Sequence, residues 1–230
     1  MNFCDFFKET KMIKIAPSIL SADFLKLADE ITSIETSGAD LVHLDIMDGH
    51  FVPNITFGPM IVKQIRPLVK LPFDAHLMIS NPTQFIPQFA DAGCEMITVH
   101  AETEQHLHRT LQFIKKLGLK AGVSVNPHTA IDFLPYVGDL CDLFLVMSVN
   151  PGFSGQEYIK SASEKIRKAA EIREKCGFSY EISVDGGVNA KTLPEVIKAG
   201  ADIAVMGSYF FGKPAAERSE LVKNAKNISK

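Results

Sequence analysis

What this sequence withholds narrows its class before any motif is read. No stretch of the chain reaches the roughly 18–20 uninterrupted apolar residues that a membrane-spanning helix needs. Charge of one sign is missing as well: the formal net charge is −3 and the lysines are dispersed, so there is no basic stripe for nucleic acid. Cys4, Cys94, Cys141 and Cys176 lie far apart with no CxxC pair. Neither a disulfide framework nor a zinc knuckle is therefore expected, and the thiols read as reduced, in a cytoplasmic protein. No GxGxxG or GxxxxGK[ST] follows any strand-like run, so nucleotide binding has no local support. What remains is 230 residues, 46% hydrophobic and 22% charged, enough for one sizeable soluble core.

Met1 to Lys11 stand apart from the pattern that follows. They carry Asp5 and Glu9 and have neither a signal-like apolar run nor the character of a transit peptide. They are expected to form a dispensable tail outside the fold, with Met12 an alternative start and residues 12–230 a single catalytic domain. From Ile13 onward apolar runs alternate with amphipathic stretches. Strands are predicted at 13–19, 41–47, 73–78, 96–100, 120–125, 142–148, 180–184 and 202–206. Helical spacing marks 23–37, where Phe24, Leu27, Ala28, Ile31 and Ile34 share a face, and 158–176. Pro135 leaves room only for a short turn or helix in 130–137. Ser-Gly-Ala-Asp at 37–40, Ala-Gly-Cys-Glu at 92–95 and Ala-Gly-Ala-Asp at 199–202 look like one helix-ending unit reused, its glycine suited to a left-handed cap. Eight strand–helix units in this length fit a single (β/α)8 (TIM) barrel, with a doubly wound open sheet as the competing α/β architecture.

Within that frame His43-Leu44-Asp45-Ile46-Met47 is the focal strand. Alternation puts His43, Asp45 and Met47 on one face, where a His and an Asp can converge on a metal and where a buried carboxylate needs a partner. In a barrel the chemistry belongs at the C-terminal strand ends. Those ends carry Ser18, His43, Asp45, Met47, His76, Met78, His100, Asn126, Met147, Asp185, Gly207 and Ser208. Asp74 shares the His76 face one layer deeper and is read as structural. Gly186-Gly187 after strand 7 and Gly207-Ser208 after strand 8 take the place where such barrels bind phosphate through backbone N–H groups.

Five segments then resemble the ribulose-phosphate 3-epimerase family, in the same order: 16–24 (Ala-Pro-Ser-Ile-Leu-Ser-Ala-Asp-Phe), 43–54 (His-Leu-Asp-Ile-Met-Asp-Gly-His-Phe-Val-Pro-Asn), 76–78 (His-Leu-Met), 146–156 (Val-Met-Ser-Val-Asn-Pro-Gly-Phe-Ser-Gly-Gln) and 184–188 (Val-Asp-Gly-Gly-Val). The resemblance spans about 13–225. It implies an isomerase of the pentose phosphate type that inverts C3 of a ketopentose 5-phosphate with one divalent transition metal per subunit. The metal ligands it implies are His43, Asp45, His76 and Asp185. Two His and two carboxylates suit zinc, ferrous iron, manganese or cobalt better than the oxygen-loving magnesium or calcium. Proton removal on one face of C3 and return on the other needs two acid–base groups, here Asp45 and Asp185. The resemblance also implies substrate contacts from Ser18, His76 and Asp185, a dry wall of Met47, Met78 and Met147, and a mobile lid with Gly152, Phe153, Ser154 and Gly155. Gly186, Gly187, Gly207 and Ser208 are expected at the phosphate.

Two departures stand out. Ser154 replaces the glycine more often found in the lid, which is expected to stiffen it, and Ser183 stands where relatives often carry a glutamate. His50, His100, His106, His108 and His128 receive no metal role. An allulose 6-phosphate epimerase is the nearest alternative, and a non-catalytic phosphosugar or metal sensor is the alternative from another class. The expected partners are a small sugar phosphate and further copies of the chain, with neither nucleic acid nor membrane.

Overall fold

The eight apolar runs become eight parallel strands. The structure, a computed structural model, describes residues 12–228, so the expected tail at 1–11 lies outside the described residues. In chain order the elements are β1 (Lys14–Pro17), α1 (Leu27–Thr36), β2 (Val42–Met47), α2 (Pro59–Ile65), β3 (Phe73–Met78), α3 (Ile86–Asp91), β4 (Met96–His100), α4 (Leu107–Lys116), β5 (Lys120–Val125), β6 (Leu143–Met147), α5 (Ala162–Cys176), β7 (Glu181–Asp185), α6 (Leu193–Ala199), β8 (Ile203–Met206), α7 (Ser208–Phe211) and α8 (Ala215–Asn227). Between β5 and β6 the described chain makes only a 3-10 turn at Leu134–Tyr136, as Pro135 leads one to expect.

The hydrogen-bonded order is β1-β8-β7-β6-β5-β4-β3-β2, so the last strand returns to the first. The β1–β2 seam is closed at the top by a parallel bridge between Ser18 and His43. At the bottom the Ile15 N–H donates to Asp40 Oδ2 (2.8 Å) and the Asp40 N–H to the Ile15 carbonyl (2.9 Å). The result is a single (β/α)8 barrel rather than an open doubly wound sheet.

Differences from the expected boundaries have local causes. β1 stops at Pro17 because the Ser18 side chain caps a 3-10 turn over Ile19–Ser21, accepting from the Leu20 N–H. Asp23 likewise caps a 3-10 turn, so α1 starts only at Leu27. β7 runs to Asp185, one residue further than predicted, which makes that carboxylate part of the strand. Gly177 and Gly200 end α5 and α6 in the left-handed conformation, φ 69° and 107°, where a side chain would be strained.

Packing follows the alternation. The outward faces, including Ile15, Leu44, Leu77, Val99, Val123, Phe144, Ile182 and Ala204, join the helices in one core. The inward faces divide in two. On the β6, β8 and β1 side Leu143, Leu145, Met147, Ile203, Val205 and Ala16 make an apolar interior. From β2 to β5 the buried inward residues are Met47, Met78 and Met96 together with the polar His43, Asp45, Asp74, His76, Thr98, His100 and Ser124.

Candidate active site and metal centre

The polar half of the interior is held by a connected set of bonds. Asp74 Oδ2 lies 3.0 Å from His43 Nδ1, and its Oδ1 accepts from the Thr98 hydroxyl at 2.9 Å. Asp74 therefore acts on a candidate ligand directly, which its reading as merely structural did not anticipate. His43 Nε2 then faces Asp45 Oδ1 at 3.3 Å, His76 Nδ1 at 3.3 Å and Asp185 Oδ2 at 3.8 Å. His76 Nδ1 lies 3.1 Å from Asp45 Oδ1 and 3.9 Å from Asp185 Oδ2. The other Asp45 oxygen takes a short hydrogen bond from the Ser18 hydroxyl. Behind His76, its Nε2 meets His100 Nε2 at 2.9 Å.

These four side chains fit a metal ion. One ligand atom from each of His43, Asp45, His76 and Asp185 can be chosen so that all lie within 4.8 Å of one another, and among the described residues they form the group that could hold one. With metal–ligand bonds near 2.0–2.2 Å, a tetrahedral set has edges of about 3.4 Å, and the five separations above run from 3.1 to 3.9 Å. The neutral-nitrogen and carboxylate donors match the expected preference for a borderline transition metal over an all-oxygen shell.

Electrostatics in the protein alone separate the two carboxylates. Burial opposes charge on Asp45, yet the charge and hydrogen bonds of His43 and His76 hold it far below the ordinary carboxylate range. Asp185 has weaker support, from the His43 charge alone, and burial and the Asp45 charge outweigh it and push Asp185 up to about 7. Burial also works against charge on His43, but Asp45 and Asp74 outweigh it and raise that imidazole well above 6.5. His76 goes the other way, down to about 4, because burial dominates and neighbouring imidazoles add to it.

Above the four residues opens a cavity of about 530 Å³. Of the residues expected at substrate, Ser18, Met47, Met78, Met147, Gly152, Phe153, Ser154, Gly155, Asp185, Gly186, Gly187, Gly207 and Ser208 all line it, together with Asp45. His76 does not. It is fully buried beside the cavity, with one ring nitrogen turned to the carboxylates and the other to His100.

Local bonds shape the rim. The Thr56 hydroxyl donates to the Asp45 carbonyl (2.7 Å) and accepts from the Met47 N–H (3.0 Å), pinning the end of β2. Met47 and Met78 pack with Val52, Leu20 and Phe51. The Asn54 amide donates to the Gly152 carbonyl at 2.8 Å, tying the β2 loop to the glycine-containing segment, and Phe153 there is exposed. Across the mouth, Ser148 donates from its hydroxyl to the carbonyls of Asp185 (2.9 Å) and Gly186 (2.7 Å). Gly186 has φ 120°, and a side chain on it would press on Val149; Gly187 has φ 65°, and a Cβ there would lie 2.5 Å from the Tyr158 nitrogen. The main chain is thus bare where it faces the cavity.

The family model for the ribulose-phosphate 3 epimerase family matches residues 14–211. The chain belongs to that family. Its members named as ribulose-phosphate 3-epimerases are isomerases, and the family is metal-dependent. The chain is 53% identical to ribulose-phosphate 3-epimerase of Bacillus subtilis, over 88% of its own length and 94% of the relative's. It is 49% identical to the Synechocystis enzyme of that name, over 94% and 96%. With the chloroplastic ribulose-5-phosphate-3-epimerase of Arabidopsis thaliana it shares 46%, over 96% and 79%. Among solved structures, the tryptophan synthase A-subunit of Pyrococcus furiosus overlays with a TM-score of 0.65 at 16% identity, over 95% of this chain and 96% of that one. Thiamine phosphate pyrophosphorylase of the same organism gives 0.62 at 17%, over 95% and 98%. These two likenesses concern the fold alone. Among the described residues no helix is long and apolar enough to cross a membrane.

Sequence reasoning passed over three contacts of the site: Asp74 with His43, Ser18 with Asp45, and His100 with His76. A signal for the last was present, since alternation turns His100 inward and Glu102 follows two residues later. The first two depend on strand stagger, which the sequence does not display.

Proposed function

We propose that the chain interconverts D-ribulose 5-phosphate and D-xylulose 5-phosphate. The observation that carries this reading is the pair Asp45 and Asp185, brought from β2 and β7 to line one cavity, 3.3 and 3.8 Å from the same nitrogen of His43. A ketose lying across that cavity presents the two faces of C3 to the two carboxylates. One removes the C3 proton to give a 2,3-enediolate, and the other delivers a proton to the opposite face; the roles exchange in the reverse direction. A zinc, ferrous, manganese or cobalt ion held by His43, Asp45, His76 and Asp185 would supply Lewis-acid stabilisation of the enediolate charge.

The chain's residues do the rest. Ser18 fixes the rotamer of Asp45 by donating to the oxygen that points away from the histidines. Met47, Met78 and Met147 line the reacting end with apolar atoms, excluding water that would screen charge there. In the metal-free protein the two carboxyl groups already differ in proton affinity, Asp45 held ionised and Asp185 raised to about 7, so the two faces of the site are chemically unequal. The phosphate is assigned to the bare main chain at Gly186, Gly187, Gly207 and Ser208, reached from the same cavity. The segment from Gly152 to Gly155 is assigned as the lid.

Incubating the protein with D-ribulose 5-phosphate in deuterated buffer should give xylulose 5-phosphate labelled at C3, with activity abolished by a chelator and restored by added metal. Failure to exchange the C3 proton, with substrate and metal bound, would leave a binding protein. Faster turnover of allulose 6-phosphate would move the assignment to a ketohexose.

A further inference from the structure

We infer that His100 and Glu102 are positioning residues that fix His76 in the one tautomer able to bind a metal through Nδ1. The inference rests on the metal-centre reading above and extends it to two residues outside the ligand set.

A neutral imidazole carries one proton, on one nitrogen or the other, and a nitrogen that binds a metal must present its lone pair. His76 turns Nδ1 toward the ligand atoms, 3.1 Å from Asp45 Oδ1, so its proton has to sit on Nε2. That nitrogen faces His100 Nε2 at 2.9 Å. Two imidazole nitrogens at this distance share a single proton, and on their own either ring could be the donor. His76 can donate only if His100 Nε2 accepts, which places the His100 proton on Nδ1. His100 Nδ1 lies 3.1 Å from Glu102 Oε2.

Glu102 decides the direction. An ionised carboxylate can only accept. Its other oxygen, Oε1, is already engaged by the Asn126 N–H at 2.7 Å and by the Thr129 hydroxyl, which aims Oε2 at His100. A carboxylate on one side of an imidazole forces a lone pair on the other side, and a second imidazole passes that condition on. The His43 arm does the same in one step: Asp74 holds Nδ1 at 3.0 Å and leaves Nε2 to the centre. The His76 arm needs two steps, because its outer nitrogen meets a ring instead of an acid. The His100 ring is fixed for this task, edge to edge with His76, its plane only 22° from that ring's and the centroids 5.0 Å apart, and covered by Phe51 at 4.6 Å.

Outer partners of metal-bound histidines are typically worth about 10–100-fold in metal affinity. His100→Phe keeps an aromatic ring against Phe51 and His76 but removes the acceptor. His100→Gln restores an acceptor carbonyl. Zinc affinity measured by competition with a chromogenic chelator should fall 10–100-fold in His100→Phe and recover in His100→Gln, while the melting temperatures of the metal-free proteins stay within a few degrees of one another. In the zinc-loaded parent, nitrogen-15 spectra of the histidines should show His76 protonated at Nε2 and metal-bound at Nδ1, and His100 protonated at Nδ1; this measurement stands even if a variant does not fold. Parental zinc binding with an unchanged His100→Phe affinity, or a His100 proton on Nε2, would overturn the relay alone. No zinc binding by the parent would overturn the metal centre and the relay with it.

Discussion

The two halves of the barrel interior solve different problems with different materials. From β2 to β5 the inward side chains include His43, Asp45, Asp74, His76, Thr98 and His100, buried and cross-bonded beneath Met47 and Met78, so that the ionisable atoms of the centre face defined partners. On the β6, β8 and β1 side the inward residues are aliphatic, and toward the mouth the chain gives way to glycine at 186, 187 and 207. The first half offers side-chain chemistry on a rigid frame, with Met47 and Met78 as its share of the dry wall; the second offers aliphatic packing, Met147 and main-chain donors. Asp185 is the exception that joins them. It reaches the centre from β7 with its neighbours Ser183 and Met147 offering no charge, which is why burial and the Asp45 charge lift it to about 7 while Asp45 itself stays ionised. A carboxylate on the polar half and another on the apolar half are therefore unequal before substrate arrives.

The largest effect is expected from breaking that inequality. Asp185→Asn keeps the size and removes both the acid–base group and one ligand charge. Loss of a positioned acid or base costs ~10²–10⁴ in rate, and kcat should fall at least that far with the circular dichroism spectrum unchanged. Turnover within tenfold of the parent would take Asp185 out of the chemistry and leave the apolar half with binding only.

The polar strand ends were legible in the sequence, whereas the division of the interior into halves was not, and the reasons are instructive. Strand runs that are apolar on both faces signal parallel strands covered by helices, and the His and Asp in the β2 run broke that pattern visibly. The polar ends of β2, β3 and β7 sit where they do because a parallel barrel collects its strand ends on one rim. Invisible in the sequence was which inward side chains meet across the barrel, because strand stagger sets this. Asp74 lies beside His43 in the β2–β3 register, so a residue that seemed one layer too deep is a direct neighbour. Ser18 was expected at substrate, but the same stagger brings its hydroxyl onto Asp45 as well. Boundaries slipped where a side chain competes for the backbone, as Ser18 and Asp23 do at their 3-10 turns.

The halves should also separate in kinetics. Gly207 faces the cavity, and a Cβ there would stand 2.7 Å from Ser21 Oγ. Gly207→Val crowds the assigned phosphate donors without touching the four ligands. Hydrogen bonds to a charged group are worth about 1.5–3 kcal/mol, so KM should rise about tenfold or more while kcat and metal content change little, the signature of lost uniform binding. An unchanged KM would displace the phosphate from this half of the rim.

The smallest expected effect is one of stability, and it tests whether the polar half depends on its metal. In the metal-free protein His43 is raised well above 6.5, so the stability it contributes is present below that value and is lost as pH rises through its folded value. Asp185, raised from 3.8 to about 7, favours the folded state while protonated and loses that contribution between those two values. His76, held down to about 4, works the other way, adding stability as pH rises, but only up to its ordinary value of 6.5. With chelator present, the melting temperature should therefore decline from about pH 6.5 to pH 8, at about 2–4 °C per kcal/mol for a chain of this size. Metal binding reverses the trend, because its ligands must be deprotonated and its charge offsets the carboxylates, so affinity and the stability it confers grow as pH rises. Melting curves in excess zinc should therefore stay level or climb across the same range. Parallel profiles with and without metal would mean that the cluster of histidines and carboxylates is held by the fold alone, and that the polar half is a structural network rather than a metal centre.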